Sequence, residues 1–214
     1  MLLRLLVLLL LSAPWAAAQE PVVPKVEAPQ KTTYESLLER VKKQDKTVDF
    51  KELRLAYTDT AAYSPYGGDR EARKAMFASL SAKEFEKALT SAETILSGNY
   101  LDINGHFGCF IAHRELSQAD QSTYHRFVFD GLLNSIKNSG DGLTMEKAFV
   151  VISTDEEYAF FNWLGLRPTG QALIKGDGHD YDKMTALDPK TNQTVVYYFN
   201  IDKPFNWLGK SLKQ

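Results

Sequence analysis

One short segment of the chain, residues 102–113 (DINGHFGCFIAH), carries several side chains of types that can do chemistry. A carboxylate, two imidazoles and a thiol follow one another at spacings of four, three and four residues: Asp102, His106, Cys109 and His113. On a helix, residues at these spacings form one stripe. A Cys–His pair could supply a nucleophile and its base, and thiolate with imidazole could bind a metal ion. The stripe is therefore either a reactive site or the packing face of a helix.

Packing is the interpretation that the spacing favours. His106 and His113 are seven residues apart, about 10.5 Å along a helix, so they cannot share one metal ion. Cys109 would lie in the middle of the helix between Phe107 and Phe110, whereas a reactive thiolate usually lies partly exposed at a helix N-terminus. We therefore expect no metal site, no catalytic residue and no cofactor here, and we expect a buried thiol.

If the stripe packs against neighbouring helices, those helices must supply hydrogen-bond partners for its histidines. His125, in the sequence TYHRF, lies on the next predicted helix and is expected to face His106 across the helix pair. A buried imidazole needs hydrogen-bond partners, for which Asp102, Asp130 and Tyr124 are candidates.

The N-terminus has the pattern of a secretory signal peptide. Arg4 supplies a positive charge, the unbroken apolar run Leu5–Leu11 follows, and Ala16–Ala18 is a small-residue cleavage site. The apolar run is too short for a permanent membrane anchor, and no later segment is apolar enough to cross a bilayer. We expect a signal peptide over residues 1–18 and export to the periplasm or beyond the cell.

The composition limits the kinds of partner. Without residues 1–18 the chain has 24 basic residues against 27 acidic ones, a net charge of about −3, which predicts no nucleic-acid partner. Cys109 is the single cysteine, so the exported chain has no internal disulfide and its core must stabilise it alone.

After the signal peptide, residues 19–31 are expected to form a Pro-rich, disordered tether, and residues 32–142 are expected to form a helical part. Thr32 and Glu35 have the spacing of a capping box, and the residues after them recur at helical intervals. The helices predicted over residues 85–96 and 101–116 carry small residues at which two helices can approach closely: Ala88, Ala92, Gly105, Gly108 and Ala112. This pair resembles a tetratricopeptide-type hairpin in architecture, without that repeat's full signature.

Residues 143–214 are predicted to form a small α+β part packed on the helices. The β-branched run 148–153 predicts a buried strand, a helix follows from Ser153 or Thr154 to Gly165, and residues 179–202 predict a hairpin. The sequence FNWLG occurs at Phe161–Gly165 and at Phe205–Gly209, each expected near the end of a short helix with Gly at the stop. The predicted class is α+β: helical hairpins, then a small, mostly antiparallel sheet with one or two helices.

Several motifs in this order resemble the bacterial exported proteins grouped as DUF4919, a domain of unknown function: YTDTAAYSPYG, NYLDINGHF, LLNSIKNSGDG, AFVVISTDEEY and YYFNID. The likeness covers Tyr34 to about Asp202. It implies a protein of the bacterial envelope or one that is secreted, with no established activity. Five residues become candidates for ligand binding, with no role assigned: Tyr66, His106, Asp141 and Asn200 within these motifs, and His125 between the second and the third.

Three functions then compete. The first is a non-catalytic binding or assembly module of the periplasm, with a protein or small molecule of the cell envelope as its partner. The second is a hydrolase-type enzyme that uses His106 and His125 as acid–base groups. The third is a structural envelope protein. A module should enclose and hydrogen-bond its histidines, whereas an enzyme needs one of them in an accessible pocket beside a carboxylate.

Overall fold

The structure, a computed structural model, describes residues 32–212. The predicted signal peptide and tether, residues 1–31, lie outside the described residues. Helices and strands follow in the order α1 (Thr33–Lys42), α2 (Phe50–Tyr57), α3 (Arg70–Ser81), α4 (Phe85–Gly98), α5 (Ile103–Glu115), α6 (Ala119–Lys137), β1 (Phe149–Val150), α7 (Thr154–Leu164), β2 (Arg167–Gly176), β3 (His179–Asp188), β4 (Gln193–Asn200) and α8 (Asp202–Ser211). The predicted α+β class is confirmed.

Side-chain caps set the starts of several helices. At α1 the predicted capping box is present, because the Thr32 hydroxyl accepts from the Glu35 N–H while the Glu35 carboxylate accepts from the Thr32 N–H. Single side chains accept from first-turn N–H groups at the starts of α2, α3, α5 and α7: Asp49, Asp69, Asp102 and Ser153. These helix starts are local features that the sequence alone indicates.

Helices α4 and α5 approach closely, as the small residues between them predict. Ala88, Ala92 and Ala112 have no exposed surface. A Cβ atom placed on Gly108 would lie 2.2 Å from Met76 Sδ and 3.0 Å from Ala92 Cβ, so only glycine fits there. The tetratricopeptide-type packing of this pair stays a prediction.

The four strands of the described chain form one mixed sheet in the order β1-β4-β3-β2. β1 runs parallel to β4, and the other neighbours are antiparallel. The strand predicted over residues 148–153 is shorter than expected, because the chain leaves the sheet after Val150. The Ile152 N–H donates to the Glu156 carboxylate instead.

A buried ion pair joins the helical part to the segment around β1 and α7. The Arg54 guanidinium on α2 donates to both carboxylate oxygens of Glu156 on α7, with Nε–Oε1 at 2.8 Å and Nη2–Oε2 at 2.5 Å. It also donates to Ser135 Oγ on α6 and to the Val150 carbonyl in β1. Since an unpaired buried charge costs about 3–5 kcal/mol, this arrangement specifies how α2, α6 and α7 meet.

The two FNWLG segments end differently. Gly165 follows α7 in the left-handed conformation, with φ +72°, and stops that helix as predicted. Gly209 lies inside α8, which continues to Ser211, so the prediction of a second glycine stop is wrong. A stretch both long and apolar enough to span a bilayer does not occur in any helix within residues 32–212.

Candidate functional site

The predicted histidine pair exists, with His106 fully buried and His125 half-buried. His106 on α5 has no exposed surface, and its Nδ1 lies 3.0 Å from Nδ1 of His125 on α6. His106 Nε2 lies 2.8 Å from the Tyr100 carbonyl oxygen, while His113 stacks on His125 at 5.4 Å between ring centroids. His113 Nδ1 in turn bonds to the Gln118 side chain. We call these three residues the histidine cluster: His106, His113 and His125.

The partners in this cluster differ from those predicted. Asp102 bonds to Arg73 and Asp130 to Arg126, while Tyr124 pairs with the Tyr100 hydroxyl. A backbone carbonyl and a second imidazole therefore take the place of the expected carboxylates and phenol. The reason is positional, since Asp102 caps the first turn of α5 and is drawn to a guanidinium.

The bonding pattern keeps the pair neutral. The Tyr100 carbonyl only accepts, so His106 Nε2 carries hydrogen and its Nδ1 accepts from His125 Nδ1. A further proton would place two N–H groups head to head. Burial, followed by the charge of His125, lowers the pKa of His106 to about 3, and burial, followed by the charge of His113, lowers that of His125 to about 4. Within residues 32–212 no hydrogen bond or ion pair joins a carboxylate to either ring, which leaves acid–base catalysis at this pair without support from the described geometry.

Cys109 is buried, as predicted. It has no exposed surface and packs with Met76, Ala92 and Ile95. Burial, and to a lesser extent the charge of Glu93, raises the pKa of the thiol to about 12, so little thiolate forms at neutral pH. Within residues 32–212 no group of three or more His, Cys, Asp or Glu side chains is placed to hold a metal ion.

The remaining candidates from the sequence do not join the histidine cluster. Tyr66 is exposed, and its ring lies 6.1 Å from that of Trp207. Asp141 accepts from the Leu143 N–H in an exposed loop, and Asn200 donates to Asp202 at the start of α8. Their hydrogen bonds and ring contacts give no common site for the five residues.

A different site lies between helices α3, α5, α6 and α7. It is a cavity of about 250 Å³, lined by aromatic and aliphatic side chains with two amides: Phe77, Ile103, Asn104, Phe107, Phe129, Ala159, Asn162 and Trp163. Ring centroids of Phe77 and Phe107 are 6.4 Å apart, and those of Phe107 and Phe129 are 5.5 Å apart. We call this cavity the aromatic groove. A mostly apolar concavity with a few polar groups has the form of a small-molecule site.

Asn104 is the polar side chain that distinguishes the groove. It is 8% exposed and lines the cavity, its amide forms no hydrogen bond with any described residue, and its amide oxygen and nitrogen keep some contact with solvent. An amide in this state has its hydrogen-bonding capacity open to solvent or to a molecule in the cavity. Asn104 is therefore the polar group that a ligand in the cavity could bind.

An ion-pair network holds the walls of the groove together. The Arg73 guanidinium on α3 donates to Asp102 Oδ2 at 2.9 Å and to both oxygens of Asp155 in α7, each at 2.8 Å. Asp102 caps α5 by accepting from the Gly105 N–H, and Asn104 lies in this same first turn of the helix. Burial raises the pKa of the Asp102 carboxyl, and Arg73 acts in the opposite direction. One side chain thus links the N-terminal turns of α3, α5 and α7.

A pair of acids lies on the other side of α7. Glu157 has no exposed surface, and within the described residues its carboxyl oxygens lack a partner other than the Asp182 carboxyl. Burial, followed by the charge of Asp182 on β3, raises the pKa of Glu157 well above its usual range. Asp182 is 4% exposed and accepts from Gln171 at 2.6 Å. With so little accessible surface, this pair is part of the core and not a surface for ligands.

Wider grooves elsewhere lack a comparable group. Cavities of about 520 and 620 Å³ lie beside α8 and α1. The first is lined by the buried Tyr63, whose hydroxyl donates to the Ile152 carbonyl at 2.7 Å and so is satisfied within the fold, and the lining of the second includes no buried polar side chain. Asn104 also lines a cavity of about 10 Å³ beside Tyr57 and Tyr63, which is too small for a ligand, so within the described residues the aromatic groove is where this amide meets a cavity large enough for a small molecule.

Sequence reasoning missed this groove because its residues are ordinary core types. Phe107 and Asn104 sit within the very segment that carries the histidines, at a spacing of three. An asparagine in the first turn of a helix is common and gives no sign of its pairing state. The one available signal was the pair of phenylalanines on neighbouring predicted helices, Phe107 and Phe129.

Comparison with known proteins gives one match. The family model described as "Domain of unknown function (DUF4919)" matches residues 25–209, which is most of the chain. No curated protein and no solved structure matches it.

Proposed function

The chain belongs to the DUF4919 family, and from that premise we propose that it is an exported bacterial binding module whose ligand is a small molecule held in the aromatic groove. The observation that carries the proposal is the Asn104 amide, which lies among aromatic side chains with no partner in the described chain. A protein that only fills space in an assembly has no need of such a group.

Export is supported by the sequence. Arg4, the apolar run Leu5–Leu11 and the alanines at 16–18 form the three regions of a signal peptide, with cleavage after Ala18. We therefore propose the periplasm, or the space outside the cell, as the place of action.

Binding without catalysis is supported by what lines the groove. Its eight lining residues include no carboxylate, imidazole, thiol, hydroxyl or ammonium group. A general acid or base must lie within hydrogen-bond reach of the reacting atom, and the enclosed histidine cluster offers none to this cavity. The groove can hold and orient a molecule, but its side chains offer no group that would transfer a proton.

Isolation from the native cell tests both parts of the proposal. The chain would be expressed in the bacterium from which it comes and recovered from the periplasmic fraction. N-terminal sequencing should then begin at Gln19, and native mass spectrometry should show an added small mass that denaturation releases.

A matched pair of variants assigns the ligand to the groove. Phe107→Ala removes a groove wall, whereas Phe110→Ala removes a similarly half-buried ring from the same helix outside the groove. We expect Phe107→Ala to lose the bound mass and Phe110→Ala to keep it. Retention of residues 1–18, or loss of the mass from both variants alike, would contradict the corresponding part of the proposal.

A further inference from the structure

The lining of the aromatic groove also restricts the chemistry of its ligand. None of the eight lining side chains is charged, so a ligand that enters must leave its hydration behind without a counter-charge. Burying an unpaired charge is far more costly than burying an unpaired polar group. An uncharged molecule is therefore favoured.

The shape of the cavity favours a flat ring. Phe107 lies between Phe77 and Phe129, with ring centroids 6.4 and 5.5 Å away, and Trp163 closes the α7 side. Aromatic rings pair best with other rings in offset or edge-to-face arrangements. A volume of about 250 Å³ is below the usual range for drug-sized ligands, about 300–1,000 Å³, and so suits one or two fused rings.

The Asn104 amide supplies the specificity. A primary amide has an N–H donor beside a carbonyl acceptor, and it bonds in two places to any planar edge that presents the complementary pair. The same geometry lets asparagine recognise the edge of adenine. Asn162, which is exposed and lies on the same lining, offers a second amide at the rim.

We infer that the groove takes a small, uncharged, planar aromatic molecule whose edge carries a hydrogen-bond donor beside an acceptor, as an aromatic carboxamide does. This inference rests on the proposed function and names its class of ligand. The ring lies among Phe77, Phe107, Phe129 and Trp163, and the polar edge bonds to Asn104.

A positive charge near the rim of the aromatic groove allows a direct test of the inference. The Lys137 ammonium lies 5.7 Å from the centroid of the Trp163 ring and is not among the lining residues. If Lys137 governed binding, an aromatic carboxylate would bind better than the matching carboxamide. If Asn104 governs it, the order is reversed.

The experiment compares benzamide, benzoate and toluene, which share one ring and differ in the polar group. It uses the mature protein, residues 19–214, with Trp207→Phe, because Trp163 is then its single tryptophan and reports on the groove. We expect saturable changes in Trp163 fluorescence, with benzamide binding more tightly than toluene and benzoate binding most weakly.

Variants then assign the polar contact. Asn104→Leu should weaken benzamide binding about fivefold to tenfold and leave toluene binding unchanged, since one amide contact is lost. Asn134→Leu, an exposed asparagine of α6 outside the groove, should change neither. Asn104→Ala serves as a second variant should the leucine form fail to fold, as judged by circular dichroism.

The outcomes separate this inference from the proposed function. Equal binding of benzamide to Asn104→Leu and to the parent, tighter binding of benzoate than of benzamide, or no binding of any of the three probes overturns the ligand class. The binding role itself stands or falls on the mass retained in native isolation and on its dependence on Phe107.

Discussion

The two faces of helix α5 have roles opposite to those that their residue types suggest. One face carries the histidines and the thiol, His106, Cys109 and His113, which are buried and bonded or packed within the fold. The other carries Asn104 and Phe107, which line a cavity with an amide left unpaired. Reactive side-chain types therefore mark the structural face, and unremarkable types mark the candidate site.

The difference shows that the state of a group matters more than its type. An imidazole whose two nitrogens are both bonded has no capacity left for a ligand, whereas an unpaired amide has all of its capacity left. Satisfied groups stabilise the fold, and unsatisfied groups cost stability unless something outside the chain satisfies them. Measurements of stability can therefore test the comparison without knowledge of the ligand.

Lowering the pH should give the largest change in the free energy of unfolding, through the histidine face. Both His106 and His125 have folded-state pKa values below the unfolded value of about 6.5, so the stability that depends on their neutrality is fully present above that pH. As the pH falls, the unfolded state takes up protons that the folded state excludes. The free energy of unfolding should fall by up to about 1.4 kcal/mol per pH unit for each proton, less for the half-buried His125.

Urea unfolding between about pH 7 and pH 5 measures this loss before most carboxyls titrate. The His106→Gln variant should show a shallower slope than the parent, because the fully buried imidazole is gone. Glu157 has the opposite sign, because its raised pKa gives stability that is lost as the pH rises. Equal slopes for the parent and for His106→Gln would show that His106 is open to solvent in the folded chain.

Truncation of the histidine face should come next. His106→Ala removes a fully buried ring and leaves the Tyr100 carbonyl and His125 without their partner. We expect a loss of about 3 kcal/mol in the free energy of unfolding. His179→Ala, which removes an exposed ion pair with Asp202, should cost less than about 1 kcal/mol. Similar losses for the two variants would contradict the enclosed cluster.

A larger side chain at the close contact of α5 with its neighbours should lower the free energy of unfolding by a smaller amount. Gly108→Ala places a methyl group against Met76 and Ala92 and should destabilise the chain by about 2 kcal/mol. Gly98→Ala, at the end of α4 with no atom within 4 Å of the new Cβ, should be neutral or stabilising. Thermal unfolding of the two variants side by side checks the contrast, and equal melting temperatures would show that α5 has room to move.

Substitution on the groove face should give the smallest change in the free energy of unfolding, and that change should be stabilising. Asn104→Leu replaces an unpaired amide with an apolar side chain of similar size and should stabilise the free protein by about 1 kcal/mol. Ser122→Ala removes a buried hydroxyl that donates to the Phe110 carbonyl and should destabilise it by about 1 kcal/mol. Urea midpoints compare the two, and destabilisation by Asn104→Leu would mean that the amide already has a partner.

Much of the local structure could be predicted from the sequence. The capping box at Thr32, the glycine stop at Gly165 and the hairpin of β3 and β4 depend on residues near one another in the chain. The contact of His106 with His125 was also predictable, since the two helices are adjacent in the chain. The shortened β1 and the unbroken α8 were not, because distant contacts decide them, such as the bond from Ile152 to Glu156.

By itself, the sequence determined the α+β class, the positions of most helices and strands, and the family, because these depend on periodicity, caps and motif order. Only the tertiary structure decided which polar groups are satisfied. Arg73 pairs with Asp102 and Asp155, and Arg54 pairs with Glu156, whereas the Asn104 amide has no hydrogen-bond partner in the described chain. Hydrogen-bond pairing is a property of positions brought together in space, so the candidate site became visible only once the helices were packed.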